Sequence, residues 1–193
     1  MPKAPEPDRA AAGSGAKADK VSEGGDTARL FLAVWPEAAA RQALADWVAG
    51  WHWPRGAKPV PPDRWHLTLC FIGPVPRARL AGLVPRLRVA APRFALGLSA
   101  LEHWSGGLVV LVPSAAEPLP AGLAALHGAL AAALAREGLP VEPRPYRPHV
   151  TLARRAAGAR PPARGLAMRW PATGYALVES RQGYRTLARY PLG

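Results

Sequence analysis

"RWHLTLCFIG", residues 64 to 73, sets His66 and Thr68 into a run that otherwise reads as an apolar strand. "RPHVTLARR", residues 147 to 155, repeats the arrangement with His149 and Thr151. Both copies read Arg, any residue, His, an aliphatic, Thr, Leu. Five His and five Thr in 193 residues give about 0.13 H-x-T triplets by chance, so two with matching neighbours mark a duplicated element. Side chains alternate along a strand, which places Arg64, His66 and Thr68 on one face and Trp65, Leu67 and Leu69 on the other. Arg147, His149 and Thr151 share a face in the same way. Burying the aliphatic set turns the polar set outward, so these residues line a surface.

The flanking sequence repeats as well. "RLFLAVW" (29 to 35) reads as a buried strand ended by Pro36, and "PEAAARQALADWVAG" (36 to 50) as a helix with Ala40, Leu44, Trp47 and Val48 on one side. A Pro-rich loop, "WPRGAKPVPPD", leads into the first H-x-T strand. A second helix fits residues 77 to 89, followed by the strands "RFALGLSALEHW" and "GLVVLVP" about an "SGG" turn. The longest helix spans Leu119 to Arg136 and stops at Gly138. Another Pro-rich loop and the second H-x-T strand follow, then a hairpin of "GYALVES" and "YRTLARYPL" around "RQG". Strand, helix, Pro-rich loop and H-x-T strand thus occur twice. The expected fold is α+β, with two lobes related by a pseudo-twofold axis. Each lobe is an antiparallel sheet with helices on its outer face, and the H-x-T strands line a central cleft.

Residues 1–28 are rich in Ala, Gly, Pro and charge with almost no large apolar side chain, the composition of a disordered tail; residues 29–193 form the folded domain. The tail carries four cations and five acids, so the chain's net charge of +12 resides in the folded body. Apart from Lys58 every cation of that body is Arg, whose planar fork suits bidentate phosphate binding. A GC-rich coding bias would enrich Arg, Ala, Gly and Pro equally. Either way the charge favours a polyanionic partner. The single cysteine, Cys70, excludes an internal disulfide and a cysteine-based zinc cluster. No apolar run resembles a signal peptide or a membrane span. A soluble, cytoplasmic protein without membrane contact is expected.

Two imidazoles converging on one point suit in-line displacement at phosphorus, where one deprotonates the attacker and the other protonates the leaving oxygen. Each threonine can donate its hydroxyl to a non-bridging oxygen, and nearby arginines offset the charge that builds up. No carboxylate or cysteine sits near either histidine in sequence, and neither motif has the H-E-x-x-H form, so no metal and no cofactor are expected. ATP-driven ligation would need a nucleophilic lysine in a nucleotide-binding motif, and Lys58 in "GAKPVPPD" lacks that context. A non-catalytic RNA-binding module is the rival of a different class. His52, His103 and His127 read as structural or exposed. Trp47 and Trp51 are spaced to pair at the end of the first helix, and Trp104 and Trp170, near loops, are candidate base-stacking surfaces.

On "HLTLCFIG", "RPYRPHVTLAR", the opening "RLFLAVWP" and the closing "YRTLARYPLG", the chain resembles the RNA 2′,3′-cyclic phosphodiesterases of the two-histidine phosphoesterase superfamily, historically called 2′-5′ RNA ligases. The resemblance implies that His66 is the general acid on a departing 3′-oxygen and that His149 activates water, leaving a 2′-phosphate. It implies that Thr68 and Thr151 hold the phosphate, that Arg154 contacts it, and that Phe71 stacks on a base. The substrate would be RNA or a nucleotide ending in a 2′,3′-cyclic phosphate, bound by a monomer, with 2′-5′ ligation as the reverse reaction. Strict alternation puts Arg154 and Phe71 opposite the histidines, so a bulge must redirect them. The loop at residues 155 to 174 is long and basic, with Arg160, Arg164 and Arg169 as candidate RNA contacts.

Overall fold

The computed structural model describes residues 26–114, 116–166 and 168–193. Its main sheet runs β10-β9-β1-β3-β7-β6-β5. In chain order these strands are β1 (Thr27–Val34), β3 (Leu67–Pro76), β5 (Ala100–Trp104), β6 (Leu108–Val112), β7 (Val150–Arg154), β9 (Gly174–Ser180) and β10 (Tyr184–Pro191). The short β2 (Lys58–Pro59) joins β7, while β4 (Phe94–Leu98) and β8 (Met168–Ala172) form a separate ladder. Every pairing is antiparallel.

The sheet has two halves, β10-β9-β1-β3 and β7-β6-β5, and β3 and β7 meet through a single backbone pair, Leu67 with Val150. Each of these residues directly follows its motif histidine. The approximate twofold relation therefore runs between the two H-x-T strands. In each half the H-x-T strand lies beside the strand that begins its repeat, β1 in one and β6 in the other.

Leu30, Leu32, Leu67, Leu69 and Leu152 point to one face of the sheet. There they share a core with the helices α1 (Ala38–Ala49), α2 (Leu80–Arg86) and α3 (Ala121–Arg136). α3 contributes Leu123, Leu126, Leu130 and Leu134, spaced three or four apart as one helical stripe requires. It ends where Gly138 takes a φ of 64°, which suits glycine. Phe31, Ala33, Ala176 and Val178 form a second, small cluster on the other face. Helices thus cover one side of the sheet, and the motif histidines occupy the other.

Several boundaries differ from expectation. Pairing of β1 begins at Thr27, two residues inside the expected tail, because Ala28 is small enough to enter the core and Arg77 N–H holds the Asp26 carbonyl. Residues 1–25 lie outside the described residues. Residues 94 to 104 form two strands in different sheets, since Leu98 pairs with Met168 and Ala100 with Val112. The basic segment at 155 to 174 is not one loop, because its alternating Met168, Trp170 and Ala172 are buried against β4. Trp47 and Trp51 do pair, edge to face at 5.2 Å. Among the described residues no helix is long and apolar enough to cross a membrane.

Glu179, 2% exposed, faces the core and is paired with Arg77 across 102 residues of chain. Arg77→Ala would leave that carboxylate buried without its partner. A loss of about 3 kcal/mol is expected, the low end for breaking a buried pair, because Arg77 is itself 33% exposed. Glu179→Gln, which keeps an acceptor, should cost less. Urea unfolding followed by circular dichroism measures both, and equal or negligible losses would show that the pair does not hold this corner.

Candidate active site

The pair Leu67–Val150 sets the geometry. In antiparallel register the flanking residues also face each other, so His66 lies across from Thr151 and Thr68 across from His149. Residues opposite one another point to the same side, which brings both His-Thr sets into one cleft of about 520 Å³. Arg154 and Phe71 line it too, with Arg29, Lys58, Arg64 and Tyr184.

Bulges bring Phe71 and Arg154 to this face. Between β1 and β3 the register slips where Ala33 pairs with Thr68 but Leu32 with Cys70, so Leu69 and Cys70 are both buried and Phe71 returns to the cleft side, 61% exposed. Between β6 and β7 the slip falls where Val110 pairs with Thr151 but Val109 with Ala153. Leu152 and Ala153 are both buried, and Arg154 emerges. Phe71 and Arg154 hold corresponding places in the two copies, each three residues beyond its threonine.

Both imidazoles are anchored alike. His66 Nδ1 lies 2.7 Å from the Arg64 carbonyl oxygen, and His149 Nδ1 lies 2.8 Å from that of Arg147. A carbonyl only accepts, so each Nδ1 carries its hydrogen and donates it. That leaves each Nε2 as the working nitrogen.

Their surroundings differ. His66 stacks on Trp35 at 5.1 Å and meets Tyr184 edge-on at 5.1 Å, with Phe31 at 5.2 Å. Burial among these rings pushes its pKa below the ordinary value. The Arg64 carbonyl opposes that shift, while the like charges of His149 and Arg154 add to it. His149 lies 4.5 Å from Trp104. Trp104 is held by the Glu102 carboxylate and covered by Arg147, whose guanidinium carbon is 4.8 Å from the ring centre; Arg147 also donates to Glu102 at 2.8 Å.

Among the described residues the side chains lining the cleft include four cations, Arg29, Lys58, Arg64 and Arg154, and no carboxylate. Lys58 reaches it because β2 pairs with β7, Lys58 opposite Arg154. Beyond Thr68, Phe71 and His149 opens a second cavity of about 630 Å³, mostly apolar, with Trp104, Tyr146 and His127 in its walls. Tyr146 donates its hydroxyl to the Thr68 carbonyl at 3.0 Å and stacks on His127 at 4.1 Å.

Other candidates lie elsewhere. Trp170 is 1% exposed in the core, so it offers no stacking surface. Arg160 bridges to His52, and the Arg164 carbonyl accepts from Trp47 of α1. Arg169 lies on β8, in the separate ladder. None of these three arginines lines the cleft. Arg29, Lys58 and Tyr184 were missed by sequence reasoning, because only strand pairing brings them to the histidines. Among the described residues no three His, Cys, Asp or Glu side chains gather as a metal ion would require.

A model of the 2′-5′ RNA ligase superfamily matches residues 34–177, most of the chain. The chain belongs to that superfamily. Within it, the chain is 36% identical over 134 residues to the RNA 2′,3′-cyclic phosphodiesterase of Escherichia coli K12, covering 68% of this chain and 74% of that protein. It is 34% identical over 174 residues to the enzyme of the same name from Thermus thermophilus, covering 79% and 81%. The crystal structure of E. coli LigT complexed with 3′-AMP superposes with a TM-score of 0.73 at 31% identity, covering 86% of this chain and 98% of that one. The two-histidine phosphoesterase fold of this superfamily is thus the fold of the chain.

Because like charges add to the burial that depresses His66, removing one should lift its pKa part of the way. Arg154→Ala is expected to raise the His66 midpoint in an NMR pH titration, and inorganic phosphate added to the wild type should raise it further. A His66 midpoint at or above the ordinary 6.5 in the free protein would contradict the electrostatics described above.

Proposed function

We propose that this protein hydrolyses RNA 2′,3′-cyclic phosphate ends to 2′-phosphates by acid-base catalysis between His66 and His149, without a metal. The observation that carries the reading is the antiparallel register, which sets two imidazoles, each anchored through Nδ1, across one cleft lined by cations. The names of the E. coli and Thermus relatives support the substrate class.

In this reading a cyclic phosphate sits between the four motif side chains. The hydroxyls of Thr68 and Thr151 donate to its non-bridging oxygens, and Arg154 and Lys58 offset the charge that grows on them. Water attacks in line with the 3′-oxygen. His149 Nε2 takes the water proton as the new P–O bond forms, and His66 Nε2–H protonates O3′ as the old bond breaks. The histidines exchange protons with solvent to reset. His66 sheds its proton readily in the free protein, and a bound phosphate monoanion, lying where the like charges act, raises its pKa again. Substrate thereby assembles its own general acid. Phe71 offers its exposed ring to the base at the entrance of the aromatic cavity. A 5′-hydroxyl in place of the water would give a 2′-5′ linkage with the same residues. In this reading the protein works as a cytoplasmic monomer.

The test is an oligonucleotide ending in a 2′,3′-cyclic phosphate, incubated in EDTA, with the product ends identified. A 2′-phosphate product is expected. His66→Ala and His149→Ala should each fold and lose roughly 10²- to 10⁴-fold in kcat; binding without turnover in the wild type would leave an RNA-binding module instead. The pH profile gives a second check. The general acid must hold its proton, and activity falls as pH rises through its pKa. The alkaline limb of kcat/KM, which reports the free protein, is therefore expected below the ordinary imidazole value near 6.5, and that of kcat above it. Coincident limbs would remove the acid role from His66.

A further inference from the structure

We propose that the rim of the β10-β9-β1 half-sheet on the His66 side, where Tyr184 and Arg189 are exposed, is a platform for the single-stranded RNA that precedes the cyclic end. The proposal rests on the phosphodiesterase reading and adds the surface that holds the nucleotides before the cyclic end.

Strand register defines the face. The row containing Thr68 continues through Ala33 and Ala176 to Arg189 on β10. A second row places Tyr184 opposite Ser180, with Arg29 in the same cleft. Arg189 is exposed and borders a depression of about 370 Å³ with Trp35 on its other side and the small Ala33 and Ala176 in its lining. The rings of Trp35 and Tyr184, which pack on each other and on His66, lie with Phe31 between this depression and the catalytic cleft.

The chemistry of the face is that of a nucleic-acid platform. Tyr184 is 44% exposed, and together with Phe71 it is one of two large aromatic side chains so exposed among the described residues; both lie at this site. Exposed aromatics beside cations are what single strands use, bases stacking on rings while cations follow the backbone. Among the described residues no carboxylate lines either the cleft or the depression. The one acidic residue of this half-sheet, Glu179, is turned into the core and paired with Arg77. Reach separates the platform from the catalytic phosphate: β10 lies three strands from β3, roughly 14 Å at the usual spacing. A phosphate held by the histidines cannot touch Arg189, but a chain two or three nucleotides long can.

The experiment compares a nucleoside 2′,3′-cyclic phosphate with a tetranucleotide carrying the same end, in the wild type, Arg189→Ala, Tyr184→Ala and Tyr184→Phe. The longer substrate is expected to have a KM at least roughly tenfold lower in the wild type. Arg189→Ala and Tyr184→Ala should each shrink that ratio by about fivefold, while Tyr184→Phe, which keeps the ring, preserves it. Anisotropy of a labelled hexanucleotide ending in a 3′-phosphate reads binding independently of turnover, and Arg189→Ala should flatten the dependence of log K on log salt by about 0.7. A length ratio near one, or one that Arg189→Ala and Tyr184→Ala leave intact, overturns the platform. Hexanucleotide binding that weakens in those variants, in a protein that turns over no cyclic phosphate, supports the platform and removes the phosphodiesterase reading.

Discussion

The cleft depends on one backbone pair, Leu67 with Val150. Because the strands are antiparallel and each partner follows its histidine, this pair alone sets each histidine across from the other copy's threonine. A slip of one residue would turn the polar set of one strand toward the core and its leucines into water, so burial of Leu67, Leu69 and Leu152 holds the register. The bulges then act on strands already fixed. One extra residue after each threonine keeps two apolar side chains buried and returns the third to the cleft, which is how Phe71 and Arg154 join the histidines.

Charge works against the fold here and for the chemistry. Four cations around one cleft, with no carboxylate among the described residues that line it, repel one another, and the aromatic cage of His66 makes its protonated form costlier still. A phosphate relieves both terms at once. In the proposed reading a site tuned this way gains affinity for an anion, because the unfavourable field exists before the ligand arrives. Glu102 shows how the other half handles the same problem: its carboxylate is engaged by Trp104 and Arg147 and serves to hold the wall behind His149.

Much of this was legible in the residues. Period-two alternation assigned the faces of both motif strands correctly as far as each threonine, and the repeated order of strand, helix and Pro-rich loop gave the two halves. The bulges break alternation, yet their signal is present: Leu-Cys after Thr68 and Leu-Ala after Thr151 are two consecutive apolar residues where a regular strand would place one. Contacts made only by distant pairing left no local trace. Lys58 enters the cleft through two residues of β2, Tyr184 through a hairpin, and Arg77 finds Glu179 across the chain. The segment at 155 to 174 misled because its arginines outweighed the buried alternation of Met168, Trp170 and Ala172.

The twofold relation is broken in the loops that precede the two motifs, and a proline marks the difference. On one side the loop before the motif docks onto β7, where Val60 N–H donates to the Leu152 carbonyl at 2.8 Å. The corresponding residue before the second motif is Pro143, which has no N–H to give to the Leu69 carbonyl. That loop stands off from β3, and Tyr146 reaches across instead, donating its hydroxyl to the Thr68 carbonyl. The gap is the aromatic cavity of about 630 Å³ beside His149. Docked backbone closes one end of a nearly symmetric cleft while the other stays open to a flat aromatic group, so a substrate bound as proposed would meet two histidines that the chain has already made unequal.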